Sequence, residues 1–230
     1  MAKDLGYSIS RSFLMTSSIK IRPAEKFEYD FISRAFEEWY WPYEPLSIGF
    51  RIKTPTPVEK QLLTSLPEEV GMTLVAVLPE ENEKIVGFLV NAPNHSKIME
   101  EIIEKVGDSM NERLEALLGI MAAVQGSGNI FEKFNIDKSF HLVAVAVDPA
   151  MRGKNIGYML FESAFEMAKN MGFTLASVDC TSKFSTNIAK KINMTPMAAI
   201  EYKEYKDSEG NQIFAPPPEH THMTTFVKEL

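Results

Sequence analysis

The stretch Val143–Gly157 reads Val-Ala-Val-Ala-Val-Asp-Pro-Ala-Met-Arg-Gly-Lys-Asn-Ile-Gly. An apolar run stops at Asp148-Pro149, a short basic turn with glycines follows, and an amphipathic segment begins. Strand, turn and helix start, in that order, suit a pyrophosphate. The first N–H groups of a helix have no partner within it, and its dipole favours an anion there. Gly153 and Gly157 let backbone approach a ligand without an intervening Cβ, and Arg152 and Lys154 add positive charge. The pattern is neither the Gly-x-x-x-x-Gly-Lys-Ser/Thr phosphate loop nor the Gly-x-Gly-x-x-Gly dinucleotide loop. The same residues would also serve as a charged strand-to-helix turn.

A second group could move protons. Glu44 lies in Trp41-Pro42-Tyr43-Glu44-Pro45-Leu46, where the prolines stiffen the chain and the aromatic rings can desolvate the carboxylate and raise its pKa. A lysine-like amine, with a pKa of about 10.4, must lose a proton before it can attack a carbonyl. A nearby carboxylate can take that proton. By itself the residue reads first as a solvated loop glutamate, as most glutamates are. Thr181 and Ser185 are four apart where an apolar strand gives way to a helix, a spacing that puts both hydroxyls on one face of a first turn. Either could instead cap that helix. Tyr40, Trp41 and Tyr43 can wall a site for an aryl ring or a cation, whereas Phe36 and Trp39, at helical spacing, belong to the core. His220 and His222 form a His-x-His pair with no third ligand, so no metal site is expected. His220 could border an amine pocket, and His141 reads as a satisfied strand-end histidine or part of a water relay.

The elements that must position these groups follow from periodicity. Ile19–Arg22 alternates as a strand, and Glu25–Tyr40 is helical with Phe27, Phe31, Ala35 and Trp39 on one stripe. Pro57–Leu66 is a short helix with Pro57 in its first turn. Thr73–Leu78 and Ile85–Asn91 make a hairpin. Lys97–Val124 is one helix, or two broken at Gly107, with a loop at 125–129. His141–Val147, apolar on both faces, predicts a central strand covered on both sides. Helix Asn155–Asn170 ends at Gly172; strand Thr174–Cys180 and helix Ser185–Asn193 follow. Met197–Tyr205 and Ile213-Phe214 flank a turn at Asp207–Asn211, and Thr224–Val227 closes the chain. Residues 1–18 read as a loose leader and 19–230 as a single domain.

Composition narrows the class further. The 230 residues are 45% hydrophobic and 24% charged, ordinary for a globular domain. A net charge of −7 argues against a nucleic-acid partner and is compatible with cationic substrates. Cys180 is the only cysteine, which suits a reducing, cytoplasmic setting. The longest apolar run near the start is Phe13-Leu14-Met15, too short for a signal peptide, and no membrane segment is expected.

Arg152-x-x-Asn155-x-Gly157 resembles the Arg/Gln-x-x-Gly-x-Gly/Ala loop of the GNAT N-acetyltransferase superfamily, with Asn155 at the central glycine position. The order of elements over 19–230 is similar to the GNAT fold, a mixed α/β architecture whose central sheet has two splayed parallel strands flanked by helices. Three more segments resemble invertebrate arylalkylamine N-acetyltransferases: 41–46, Cys180-Thr-Ser-Lys-Phe-Ser185, and Ile213-Phe-Ala-Pro-Pro-Pro-Glu-His220. The resemblance implies acetyl-CoA as cosubstrate, bound by backbone at Val145, Ala146 and Val147 and by the loop Arg152, Gly153, Lys154, Asn155, Ile156 and Gly157. It implies Glu44 as general base, Thr181 and Ser185 in proton transfer, and Trp41, Tyr43 and His220 at a small primary amine such as an arylalkylamine. Ala189 stands where many GNAT enzymes carry a tyrosine acid, so a hydroxyl or solvent is the expected donor to the thiolate. A polyamine or protein amine is the alternative acceptor, and a monomer is favoured. A non-catalytic acyl-CoA sensor and a Cys180/His141 hydrolase are the rival classes.

Overall fold

The computed structural model describes residues 18–51 and 54–230; apart from Ser18, the expected leader lies outside them. In chain order the strands are β1 (Lys20–Pro23), β2 (Leu74–Leu78), β3 (Lys84–Asn94), β4 (Ser139–Val147), β5 (Leu175–Cys180), β6 (Thr195–Glu201) and β7 (His222–Glu229). Among the described residues they form one seven-stranded sheet in the order β1-β2-β3-β4-β5-β7-β6. Every neighbouring pair is antiparallel except β4 and β5. The helices are α1 (Tyr29–Ala35), α2 (Pro45–Gly49), α3 (Pro57–Thr64), α4 (Leu66–Val70), α5 (Ile98–Val106), α6 (Glu112–Gly128), α7 (Ile130–Lys133), α8 (Ile156–Asn170) and α9 (Lys183–Lys191).

The sheet is covered on both faces, as the apolar character of β4 requires. On one face α8 and α9 bury Leu160, Phe161, Ala164 and Ala189 against Leu74, Leu89, Phe140 and Leu142. On the other, Ile32, Phe36 and Trp39 pack on Phe88, Val90, Ala144 and Ala146. Phe140 and Leu142 thus face opposite to Ala144 and Ala146, although strict alternation would align them. The cause is a bulge in β4. Val90 pairs with Ala144 and the next residue, Asn91, with Leu142, so Val143 is the extra residue.

Three sequence expectations are corrected. The segment 25–40 is not one helix: α1 is preceded by a 3-10 turn at Lys26–Glu28 and followed by a π turn at Phe36–Tyr40. The changes of pitch shift the apolar stripe onto Ile32, Ala35, Phe36 and Trp39 and leave Phe27 76% exposed. The expected loop at 125–129 is instead the last turns of α6, which run to Gly128 and stop at left-handed Asn129. Met197–Tyr205 and Ile213-Phe214 do flank a turn, with Ile213 N–H donating to Tyr205 O at 3.1 Å and Lys206 bridging Gln212. The strand β6 itself pairs along its length with β7, and the three prolines 216–218, which lack N–H groups, lie in the connection between the turn and β7. Helix α9 begins at Lys183 rather than Ser185.

The break at Gly107 is present, with φ +48° after α5. Residues 112–133 are apolar and long enough to span a membrane, but Asn129 interrupts them. In the fold, Ile120 and Val124 of α6 pack against Tyr202 and Met223 at the sheet.

Candidate active site

β4 and β5 pair only at Phe140↔Ala176, His141↔Ser177 and Leu142↔Val178. The Val143 bulge turns β4 away at the next residue, so Val143–Val147 has no strand partner on the β5 side. The strands splay, as the GNAT resemblance implied. A cavity of about 1270 Å³ occupies the opening. Val145, Ala146, Val147, Arg152, Gly153, Asn155, Ile156 and Gly157 line one part, and Trp41, Tyr43, Glu44, Thr181, Ser185 and His220 line another. The exception among the expected residues is Lys154, which is exposed and turns its ammonium to Met151 Sδ at 3.4 Å.

At the cofactor end, Asn155 is the N-cap of α8 with φ +60° and ψ +19°. It takes the left-handed conformation that the central glycine of the motif would supply, which Asn adopts more readily than most residues. Gly153 has φ +81°, and a Cβ there would meet nothing within 4 Å, so the turn is open on its outer side. Lys191 reaches the loop from α9, its Nζ 3.4 Å from Asn155 Oδ1. Free N–H groups at the start of α8, with Arg152 and Lys191 beside them, fit a pyrophosphate.

Glu44 sits where two local devices meet. The π turn and a 3-10 turn at Trp41–Tyr43 bring the chain out of α1, and Pro45 opens α2 at its first position. Glu44 is the N-cap of α2, and its Oε2 accepts from Ser47 N–H at 2.5 Å. Glu44 is buried, and Oε1 has no hydrogen-bond partner at ordinary distance. Burial raises the carboxyl pKa above its usual value, while the N–H groups of Ser47 and Leu46 and the Thr181 hydroxyl pull it partly back. A close contact supports the loop from behind: a Cβ on Gly49 would stand 2.7 Å from Pro216 N, and Ala215 N–H donates to Gly49 O at 2.8 Å. The proline segment near His220 is thereby clamped onto the Glu44 helix.

Thr181 and Ser185 do not share a helical turn. Ser182 is the N-cap of α9; its Oγ accepts from Ser185 N–H at 3.0 Å, and Ser185 Oγ donates to Ser182 O at 3.1 Å. Thr181 lies before the helix and adjoins Glu44. Its carbonyl accepts from Tyr202 Oη at 2.6 Å, a buried tyrosine that sequence reasoning did not single out. His220 is buried, and its Nδ1 accepts from Lys183 N–H at 3.1 Å, so Nε2 carries the proton when the ring is neutral. Burial lowers its pKa. Trp41 leaves Nε1 buried and unpartnered, whereas the Tyr43 ring lies under the Arg152 guanidinium at 3.7 Å. Tyr43 therefore faces the cofactor loop as much as any amine.

His141 Nδ1 is 2.9 Å from Ser177 Oγ, and Nε2 is 3.8 Å from Asp179 Oδ2. Burial lowers the pKa of His141. Cys180 points into the opposite core, fully buried, with its thiol pushed up to about 12 by burial. A thiol fully buried in the core is not placed to act as a nucleophile, so the structure gives the hydrolase alternative no support. Asp179, Gln125 and Asn94 also line the cavity and were not singled out from sequence, although a carboxylate inside the apolar run 175–180 was a visible signal.

The model of the acetyltransferase (GNAT) family matches residues 33–189. The chain belongs to this family and is an N-acetyltransferase. Family members use acetyl-CoA. The fold is similar to that of a mosquito arylalkylamine N-acetyltransferase like 5b, at 25% identity and a TM-score of 0.84, covering 93% of this chain and 100% of that one. It is also similar to a Drosophila melanogaster polyamine N-acetyltransferase that forms N-acetylagmatine, at 28% identity and a TM-score of 0.82, with 93% and 100% covered.

Proposed function

We propose that the protein transfers the acetyl group of acetyl-CoA directly to a small primary amine, with Glu44 as general base. The observation that carries this reading is the Glu44 carboxylate: buried, raised in pKa, one oxygen held by Ser47 N–H and the other without a partner at ordinary distance, with the Thr181 hydroxyl nearby, beside a cavity that also runs to the Arg152–Gly157 loop. Glu44 takes a proton from the bound ammonium, and the freed nitrogen attacks the thioester carbonyl carbon. The C–N bond forms as the C–S bond breaks, the nitrogen gives up its second proton to solvent, and the departing thiolate is protonated from the side of Thr181 and Ser185, with solvent restoring the hydroxyl proton. Backbone N–H groups of Val145 and Val147, on the unpaired side of β4, would hold the pantetheine and polarise the carbonyl.

An arylalkylamine is the acceptor that the segments at 41–46, 180–185 and 213–220 support, and the mosquito relative is named for that class. A polyamine is the second reading, favoured by the buried carboxylate of Asp179 on the cavity wall. Acetyl-CoA-dependent thiol release, measured over a panel of arylalkylamines, diamines and peptides, tests the activity. Release with none of them would reject it in favour of an acyl-CoA-binding sensor.

A further inference from the structure

The cavity wall nearest the point where β4 and β5 part differs from the rest. Asp179 interrupts the apolar strand β5, and its side chain is only 4% exposed. Strand alternation puts Ser177, Asp179 and Thr181 on one side and Cys180 on the other. Both Asp179 oxygens are held by neutral donors: Thr225 Oγ1 donates to Oδ1 at 2.5 Å and Gln125 Nε2 to Oδ2 at 2.6 Å. The basic group closest by is His141, 3.8 Å away, and among the described residues no lysine or arginine pairs with Asp179. Burial favours the neutral form of that imidazole, so it brings no compensating charge near pH 7. A buried carboxylate without a cation is costly unless one arrives.

A second observation concerns Asn94. It is buried, its Oδ1 has no hydrogen-bond partner, and it lines the cavity beside Asp179. Asn94, Gln125, His141, Ser177, Asp179 and Thr225, with Ile130 and Phe131, border a void of about 10 Å³, and four of these residues also line the large cavity. That is room for one head group the size of a water molecule. An unpartnered carbonyl oxygen and an unneutralised carboxylate together call for a small charged donor, which an ammonium group is.

We propose that Asp179 and Asn94 form a subsite for a second protonated nitrogen of the acceptor, so that aliphatic diamines are preferred over monoamines of the same length. This rests on the amine acetylation proposed above and favours the second acceptor class. The spacing agrees. Thr181, which adjoins Glu44, is two residues beyond Asp179, about 7 Å along a strand, close to the nitrogen separation across about four methylenes. One nitrogen would lie at Glu44 and lose its proton, while the other would stay charged at Asp179.

The test compares 1,4-diaminobutane with 1-aminopentane, in which a methyl group replaces the second ammonium, at saturating acetyl-CoA. In the wild-type protein kcat/KM for the diamine should be at least about tenfold higher, the value of one charge-assisted hydrogen bond. Asp179→Asn should reduce that ratio about tenfold. Asn94→Ala, which keeps Asp179 charged and covers the case of a misfolded Asp179 variant, should reduce it roughly fivefold, as for a single hydrogen bond. A wild-type ratio near one, or a ratio unmoved by either substitution, overturns the subsite. So does a result in which Asp179→Asn affects tyramine against 2-phenylethylamine as strongly as it affects the diamine pair, because the wall would then read a hydroxyl. If no amine is acetylated, the proposed activity fails, and calorimetric titration of the same two amines still decides the subsite. Tighter diamine binding that is lost in Asp179→Asn supports it; equal binding of the two overturns it.

Discussion

The guanidinium of Arg152 lies 3.7 Å from the centre of the Tyr43 ring, and its Nη2 donates to Trp39 O at 3.4 Å. The cofactor loop and the loop that carries Glu44 are therefore in contact through one stacked pair. Removing the ring frees a charge that is aimed at the pyrophosphate site. Tyr43→Ala should raise the KM for acetyl-CoA about three- to fivefold, in line with a partly exposed cation–π contact of about 0.5–1 kcal/mol. Tyr43→Phe should restore it. Equal KM values for Tyr43→Ala and wild type would show that the stack plays no part.

The pH behaviour of Glu44 follows from its raised pKa. Protonated Glu44 cannot accept a proton, so kcat/KM should rise with pH through a limb above the ordinary carboxylate range. Glu44→Gln should lose that limb and about two to four orders of magnitude in rate. Stability runs the other way. The folded protein binds this proton more tightly than the unfolded chain, so stability is lost as pH rises from the unfolded pKa through the folded one. Glu44→Gln, which imitates the protonated form, should melt at a higher temperature than wild type at neutral pH, and the difference should shrink at acid pH.

Thr181 lowers the Glu44 pKa through its hydroxyl. Thr181→Val should move the acid limb of kcat/KM to higher pH, and Thr181→Ser should leave it in place. Ser182→Ala acts on α9 instead. It removes the N-cap, at a cost of about 1 kcal/mol in stability, which a denaturant midpoint would register.

Asn155 carries the one departure from the expected loop, and it is held at φ +60°. Asn155→Gly should bind acetyl-CoA as well as wild type does. Asn155→Val, whose branched side chain opposes a left-handed backbone at a cost of about 1–2 kcal/mol, should weaken binding roughly tenfold, as read by calorimetry.

How much of this was legible depends on range along the chain. The strand–turn–helix at 143–157 and the end of α8 at Gly172 could be read because their causes lie within a few residues. The Val143 bulge could not. Val-Ala-Val-Ala-Val alternates without a break, and only pairing with β3 shows which residue is extra. The pitch changes around α1 were hidden for a similar reason, since 25–40 carries no proline or glycine to mark them. Glu44 was singled out through the resemblance of the segment 41–46, but its burial, and the contact of Pro216 with Gly49 that braces its helix, could not be read there. Asp179 showed in the sequence as one carboxylate in an apolar strand. Its significance appears only with Asn94 and Gln125, which come from β3 and α6.

The most direct measurement is amine-dependent thiol release from acetyl-CoA by wild type and Glu44→Gln side by side, over arylalkylamines and diamines near neutral pH. Release by wild type with at least one amine, reduced about a hundredfold or more in Glu44→Gln, is the expected result. Release by Glu44→Gln at the wild-type rate, or acetyl-CoA binding with no amine-dependent release by wild type, would contradict Glu44 as the base of an amine acetyltransferase.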